Sequence, residues 1–205
     1  MLGSKGFDLW ADGYDKSVSL SDKQGTYPFA GYKEILGEIY SAVLSSHSGT
    51  VLDIGLGTGV LSSKLYEQGL SVFGQDFSPK MLAAAAEKMP KAELFCKDFS
   101  EGVDERLTVR KYGAIVATYS LHHLTDTEKV SFIKQLVSLL QEGGCLYIGD
   151  VAFENRALLE KCRQEAKDSW DSDEYYFVFD EIREFFPDMK FKSFSHCAGI
   201  LYLEK

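Results

Sequence analysis

The chain has 205 residues, 45% of them hydrophobic and 26% charged, the make-up of an ordinary soluble globular protein that can bury a core without staples. Collagen, coiled coils and long disordered chains are excluded, and the length favours one domain. Lys and Arg number 22 against 31 Asp and Glu, a net charge of −9, so the surface repels nucleic-acid phosphates and anionic lipid.

Residues 1–27 are polar, with aromatic residues at Phe7, Trp10 and Tyr14. Met1 to Asp12 lacks a basic start followed by an apolar core, so no signal peptide is expected. From 29 to 45, Ile35, Ile39 and Val43 beside Leu36, Tyr40 and Leu44 form a helical stripe. Then strands and helices alternate. Thr50–Ile54 reads as a buried strand running into Gly55-Leu56-Gly57-Thr58-Gly59, and a helix is expected from Val60 to Gln68. Leu70–Gly74 is a second strand ending at Gln75-Asp76. Ser78-Pro79 opens the next helix, because Ser is a favoured N-cap and Pro is tolerated at the first helical position; Pro90 ends it.

Ala92–Cys96 and Tyr112–Tyr119 give the third and fourth strands. Thr125-Asp126-Thr127-Glu128 has the spacing of a capping box. Val130, Ile133, Leu136, Val137 and Leu140 follow on one helix face, which Gly143-Gly144 should close before the fifth strand, Cys145–Ile148. A charged helix is expected over 155–167 and a short one near 180–186. The last strands, 189–197 and 200–203, are separated by Ala198-Gly199, and so short a link favours an antiparallel pair. Strands alternating with helices predict an α/β fold, a mainly parallel Rossmann-like sheet with helices on both faces. The expected layout is one domain: a helical cover over 1–48, a ligand-binding core over 49–151, and a lid with the final strands over 152–205.

The four cysteines, Cys96, Cys145, Cys162 and Cys197, are too far apart for a zinc knuckle or C-x-x-C pair. A reduced, cytoplasmic setting is expected, and no metal. No apolar run reaches the roughly 18 residues of a membrane span, and Leu203-Glu204-Lys205 carries no lipidation motif.

Ligands of open α/β sheets bind beyond the carboxyl ends of strands, where the Gly55–Gly59 turn falls. The turn reads G-x-G-x-G, with Val60 where a dinucleotide fingerprint needs its third Gly or Ala. Asp53 sits at the strand end, a poor neighbour for a pyrophosphate and a good one for an amino group. The turn thus suits a ligand with a cationic amine and no phosphate, and a nicotinamide-dependent oxidoreductase is disfavoured. Asp76, about 20 residues past the first glycine, stands where an acidic residue takes ribose hydroxyls, with Phe77 beside the ligand. Asp98-Phe99 either receives an exocyclic amine against an apolar wall or opens a capping box with Glu101; spacing leaves both open.

Val51–Gly59, Gly74–Leu82, Lys97-Asp98-Phe99 and Ser120-Leu121-His122-His123-Leu124, in this order, resemble class I S-adenosylmethionine-dependent methyltransferases over about residues 7 to 150. Trp10–Asp15, Phe29–Tyr32 and Leu121–Asp126 look more narrowly like the small uncharacterised YrrT-type methyltransferases of Gram-positive bacteria. The resemblance implies seven strands with the last antiparallel. It implies S-adenosyl-L-methionine as cofactor, with Gly55 and Gly57 along its methionine part, Asp53 near its amino group, Asp76 on the ribose and Asp98 at the adenine amine, with Phe99 beside it. Tyr14 would help cover it.

Methyl transfer from a sulfonium needs alignment and exclusion of water, and a base only where the nucleophile must lose a proton. His122 and His123 are the candidates, although either could instead simply hold its loop. Tyr119, Ser120 and Asp150 also lie at strand ends. Residues 150–190 hold 12 acidic and 6 basic residues, and Asp168, Asp171, Asp173 and Glu174 with Tyr175, Tyr176 and Phe177 stand where a lid would form. The implied acceptor is a small molecule rather than nucleic acid, protein or membrane; its identity and the oligomeric state are not legible. A protein that binds the cofactor without transferring its methyl group is the other reading.

Overall fold

A computed structural model describes residues 25–205. The expected contributions of Trp10, Tyr14 and the rest of residues 1–24 lie outside the described residues. Helix α1 (Tyr32–Ser45) is followed by β1 (Thr50–Ile54), α2 (Val60–Glu67), β2 (Ser71–Asp76), α3 (Pro79–Lys88) and β3 (Glu93–Cys96). Next come α4 (Glu105–Thr108), β4 (Tyr112–Thr118), α5 (Asp126–Leu139) and β5 (Leu140–Phe153). The chain closes with α6 (Arg156–Ala166), β6 (Phe177–Val178), α7 (Phe179–Ile182), β7 (Lys190–Ser193) and β8 (Ala198–Glu204).

The seven-strand path runs β3-β2-β1-β4-β5-β8-β7, and two-residue β6 adds to the end of β5. Strands β1 to β5 are parallel, and β8 is antiparallel to both its neighbours. Alternate residues point to opposite faces, so both faces of β4 must be apolar if both are covered. Ile115 and Ala117 pack on one face with Ile133 and Leu136 of α5. Ala114 and Val116 pack on the other with Ile35, Ile39 and Val43 of α1 and Leu65 of α2.

The helix starts follow their cap chemistry. Ser78 Oγ accepts from the Met81 N–H at 3.2 Å, with Pro79 at the first turn. The Thr125–Glu128 capping box is closed in both directions.

Several boundaries differ from the sequence reading, and two of them have a plain packing cause. Helix α5 ends at Leu139, before Gly143-Gly144, and β5 starts at once with Leu140. Leu140 is fully buried and paired with Tyr112, so its burial belongs to the sheet rather than the helix face. The C-terminal hairpin is antiparallel, but its turn is Phe194–Cys197 and not Ala198-Gly199. Ser195 Oγ accepts from the N–H groups of Cys197 and Ala198 and shapes that turn. Gly199 pairs with Ser193 inside the sheet, where a Cβ would stand 2.4 Å from the Phe191 ring. It is glycine for close approach, not for turning.

Among the described residues no helix is long and apolar enough to cross a membrane. All four cysteines are free thiols.

Candidate active site

The carboxyl ends of β1, β2 and β4 open onto a cleft lined by Asp53, Gly55, Gly57, Thr58, Asp76, Phe77, Phe99, Tyr119, Ser120 and His123, among others. The glycine turn makes it possible. Gly55 has φ +68°, and a Cβ there would sit 2.4 Å from the Ser120 Cβ. Ser120 is itself fixed by donating to the Ile54 carbonyl at 3.0 Å. Gly59 has φ +74°, a left-handed conformation that favours glycine, and it lies close to Met89 and Ala85 at the end of α3. The turn therefore needs glycine both for its backbone angles and for its contacts.

Asp53 and Asp76 have different surroundings. Asp53 is buried; its Oδ2 accepts from Ser62 Oγ at 2.5 Å, and its Oδ1 has no hydrogen-bond partner among the described residues. Burial pushes its pKa up to about 7, against the Ser62 hydrogen bond and with help from the Asp76 charge. Asp76 is buried too, but Oδ2 accepts from the Gly57 N–H at 2.9 Å and Oδ1 from the Ser78 N–H at 2.8 Å. Asp76 thus ties the glycine turn to the start of α3 and lines the cleft. Phe77 and Phe99 flank the same space. Asp98 is exposed, and its Oδ1 accepts from the Ser100 N–H at 2.9 Å, capping the short 3-10 turn Phe99–Glu101.

Beside the cleft is a second cavity of 200 Å3, lined by Tyr27, Pro28, Phe29, Tyr119, His122, His123, Val151, Ser169, Asp171 and Glu174. Tyr119 and His123 border both spaces. Tyr119 has φ +50°, an uncommon backbone conformation for a bulky residue. Its ring packs at 5.1 Å against Tyr32, which lines the cleft, and at 5.4 Å against Phe29, which lines the second cavity.

His122 Nδ1–H donates to Asp150 Oδ1 at 2.6 Å, and His122 Nε2 stands 3.5 Å from Glu174 Oε1. Burial acts to lower the His122 pKa, but the Asp150 carboxylate and then Glu174 outweigh it, and the net shift is upward. Burial, with the neighbouring His122, pushes His123 down to about 4, so that imidazole is neutral at pH 7. Glu174 is raised by burial, partly offset by His122 and by the Tyr176 hydroxyl, which donates to Oε2 at 2.7 Å.

The acidic stretch is bound to this loop. The Tyr175 N–H donates to the His122 carbonyl at 2.8 Å, and Lys129 Nζ donates to the Tyr175 carbonyl. Lys129 also reaches Asp126 Oδ1 at 3.1 Å. Tyr176 and Phe177 are buried, Asp171 and Glu174 border the second cavity, and Asp168, Asp173 and Tyr175 are exposed.

A methyltransferase-domain family model matches residues 51–144. An uncharacterized methyltransferase of Geobacillus sp. (strain WCH70) is 34% identical over 193 residues, covering 90% of this chain and 87% of the relative. The chain belongs to this methyltransferase family. Another member, from Alkaliphilus oremlandii (strain OhILAs), is 33% identical over 188 residues, 88% of this chain and 85% of its own. The fold of this methyltransferase is similar to that of the DhpI–SAH complex (TM-score 0.70, 18% identity, 97% and 93% of the two chains). It is similar as well to magnesium protoporphyrin IX methyltransferase from Synechocystis PCC 6803 with bound SAH (TM-score 0.67, 19% identity, 86% and 84%).

The fold of this methyltransferase brings Asp53, Gly55, Gly57, Asp76, Phe77 and Phe99 around one cleft, while Asp98 turns to its own cap. Sequence reading passed over Ser62, Tyr32 and Gln75. Gln75 is buried and bridges loops, donating to the Gly102 carbonyl at 3.0 Å and accepting from the Asp104 N–H at 2.7 Å. Its polar side chain inside an apolar strand was the available signal. Ser62 and Tyr32 carry none, because their partners are set only by helix packing.

Proposed function

We propose that this methyltransferase transfers a methyl group from S-adenosyl-L-methionine to a small molecule held in the second cavity. One observation carries the reading: Asp53 Oδ1 is buried at the glycine turn and lacks a hydrogen-bond partner among the described residues. A buried carboxylate oxygen left that way is costly, and an ammonium group in the cleft would satisfy it. Asp76, fixed by two backbone N–H groups, would accept ribose hydroxyls. Phe77 and Phe99 would flank the adenine, and Gly55 and Gly57 the methionine part. Asp98 would reach the adenine amine only with the oxygen its cap leaves open. When bound, the cofactor supplies a sulfonium methyl already activated toward a nucleophile.

The protein's part is orientation and exclusion of water. Tyr119, Tyr32 and Phe29 shape the junction of the cleft and the acceptor cavity, and His123 borders both spaces, within reach of an acceptor. Residues 168–176 act as the far wall of the acceptor cavity. A 200 Å3 volume and a net charge of −9 favour a small acceptor over nucleic acid. Four free thiols favour a cytoplasmic setting.

Calorimetry with S-adenosylmethionine, S-adenosylhomocysteine and NAD tests the cofactor assignment: the first two bind and NAD does not. Transfer of a labelled methyl group into an extract of small metabolites, lost in Asp76→Ala, tests the reaction. Cofactor binding with no labelled product from any extract would leave a binding protein.

A further inference from the structure

We propose that His122, His123 and Glu174 form a binding site for a divalent first-row transition metal, with Asp150 as the outer carboxylate behind His122. Its position on the acceptor side rests on the reading of the second cavity given above; the metal site itself does not.

One ligand atom from each of the three side chains lies within 4.8 Å of the others. Two imidazoles and one carboxylate are a donor set of zinc and non-haem iron sites that keep an open position. One edge is already at ligand spacing. Two ligands at 2.0–2.1 Å from a tetrahedral ion stand roughly 3.3 Å apart, and His122 Nε2 is 3.5 Å from Glu174 Oε1.

The supporting shell is in place as well. A metal-bound histidine usually donates its other ring N–H to a carboxylate, which fixes the tautomer and aims the free nitrogen. His122 does so, through Nδ1 to Asp150 Oδ1 at 2.6 Å. Asp150 is fully buried; Oδ1 also accepts from the Val151 N–H, and Oδ2 has no hydrogen-bond partner among the described residues. Glu174 is held from its far side by the Tyr176 hydroxyl. Three protein ligands would leave a fourth position, and all three side chains line the cavity beside the cofactor cleft. An acceptor with an oxygen or sulfur ligand atom would bind there.

The rival account is a metal-free ion pair in which protonated His122 lies between Asp150 and Glu174. The full-length protein, stripped with a chelator, separates the two. Zinc is expected to bind at one equivalent per chain and survive gel filtration. Cobalt(II) is expected to give visible d–d absorption saturating at the same ratio. His123→Ala and Glu174→Gln each weaken zinc at least about ten-fold, and Asp150→Asn by about ten- to a hundred-fold, the range for an outer-shell partner. Circular dichroism and S-adenosylhomocysteine calorimetry on Glu174→Gln, which lies off the cofactor cleft, verify that this variant is folded. Absence of stoichiometric metal, or metal retained equally by all three variants, overturns the site. Failure of the cofactor to bind would sink the functional reading and leave the metal result standing.

Discussion

Asp53 and Asp76 have the same chemistry and lie at the ends of adjacent strands, yet they are partnered differently. Asp76 accepts from two backbone N–H groups, whereas Asp53 has one hydroxyl donor and is pushed up to about 7 by burial. The sign of the resulting pH dependence follows. The folded-state pKa lies above the usual carboxylate value, so the ligand-free fold gains stability from Asp53 below pH 4 or so and loses it as pH rises through 7. A cationic amine reverses the preference, because it favours the ionised form. Affinity for S-adenosylmethionine should therefore climb between pH 6 and 8, with proton release seen by calorimetry in buffers of different ionisation heat. Asp53→Asn should flatten that climb; an unchanged slope would show that Asp53 does not face the amine. Asp76→Asn removes charge-assisted hydrogen bonds worth about 1.5–3 kcal/mol and should weaken cofactor binding by about ten- to a hundred-fold.

At the scale of elements, local chemistry sets where helices begin, and packing sets where they end. The Thr125 capping box starts α5, and Thr125→Ala should cost about 1 kcal/mol in urea unfolding. The same helix ends where Leu140 is drawn into the sheet beside Tyr112. Lys129 shows how an element can serve a distant segment. It is only 1% exposed on α5, and its ammonium holds the Tyr175 carbonyl of the stretch that carries Glu174. Burial lowers its pKa, and the contacts with Tyr175, Asp126 and the Phe177 ring compensate. Lys129→Met keeps the apolar stem but strands that carbonyl. It should cost about 1–3 kcal/mol and raise hydrogen exchange at the Tyr175 amide, which bonds the His122 loop. Exchange as slow as in the parent protein would refute the anchoring role.

For the molecule as a whole, the sheet is the frame and its carboxyl edge the workplace. Ile115 is fully buried at the centre of β4. Ile115→Ala should cost about 2–5 kcal/mol, lowering the urea midpoint without moving any ligand contact. Cofactor at a hundred times its dissociation constant should add about 2.7 kcal/mol to the parent protein, read as a rise in Tm that Asp76→Ala abolishes.

Most of the architecture was written locally. Alternating apolar strands, the Ser78 and Thr125 caps and the Gly55–Gly59 turn depend on neighbours a few residues away, and each formed where its pattern lay. The residues that line the cleft were legible for the same reason, since Asp53, Asp76 and the glycine turn lie at the ends of recognisable strands. For Asp98 the sequence does not separate ligand from cap, because both need the same spacing.

The second cavity is another matter. His122 meets Asp150 across 28 residues and nears Glu174 across 52, and Tyr27 closes the aromatic wall from the far end of the chain. A chain of amino acids encodes periodicity and caps through near neighbours. It does not display which distant side chains a parallel sheet will deliver to one edge, and only the completed packing of its crossover segments decided that.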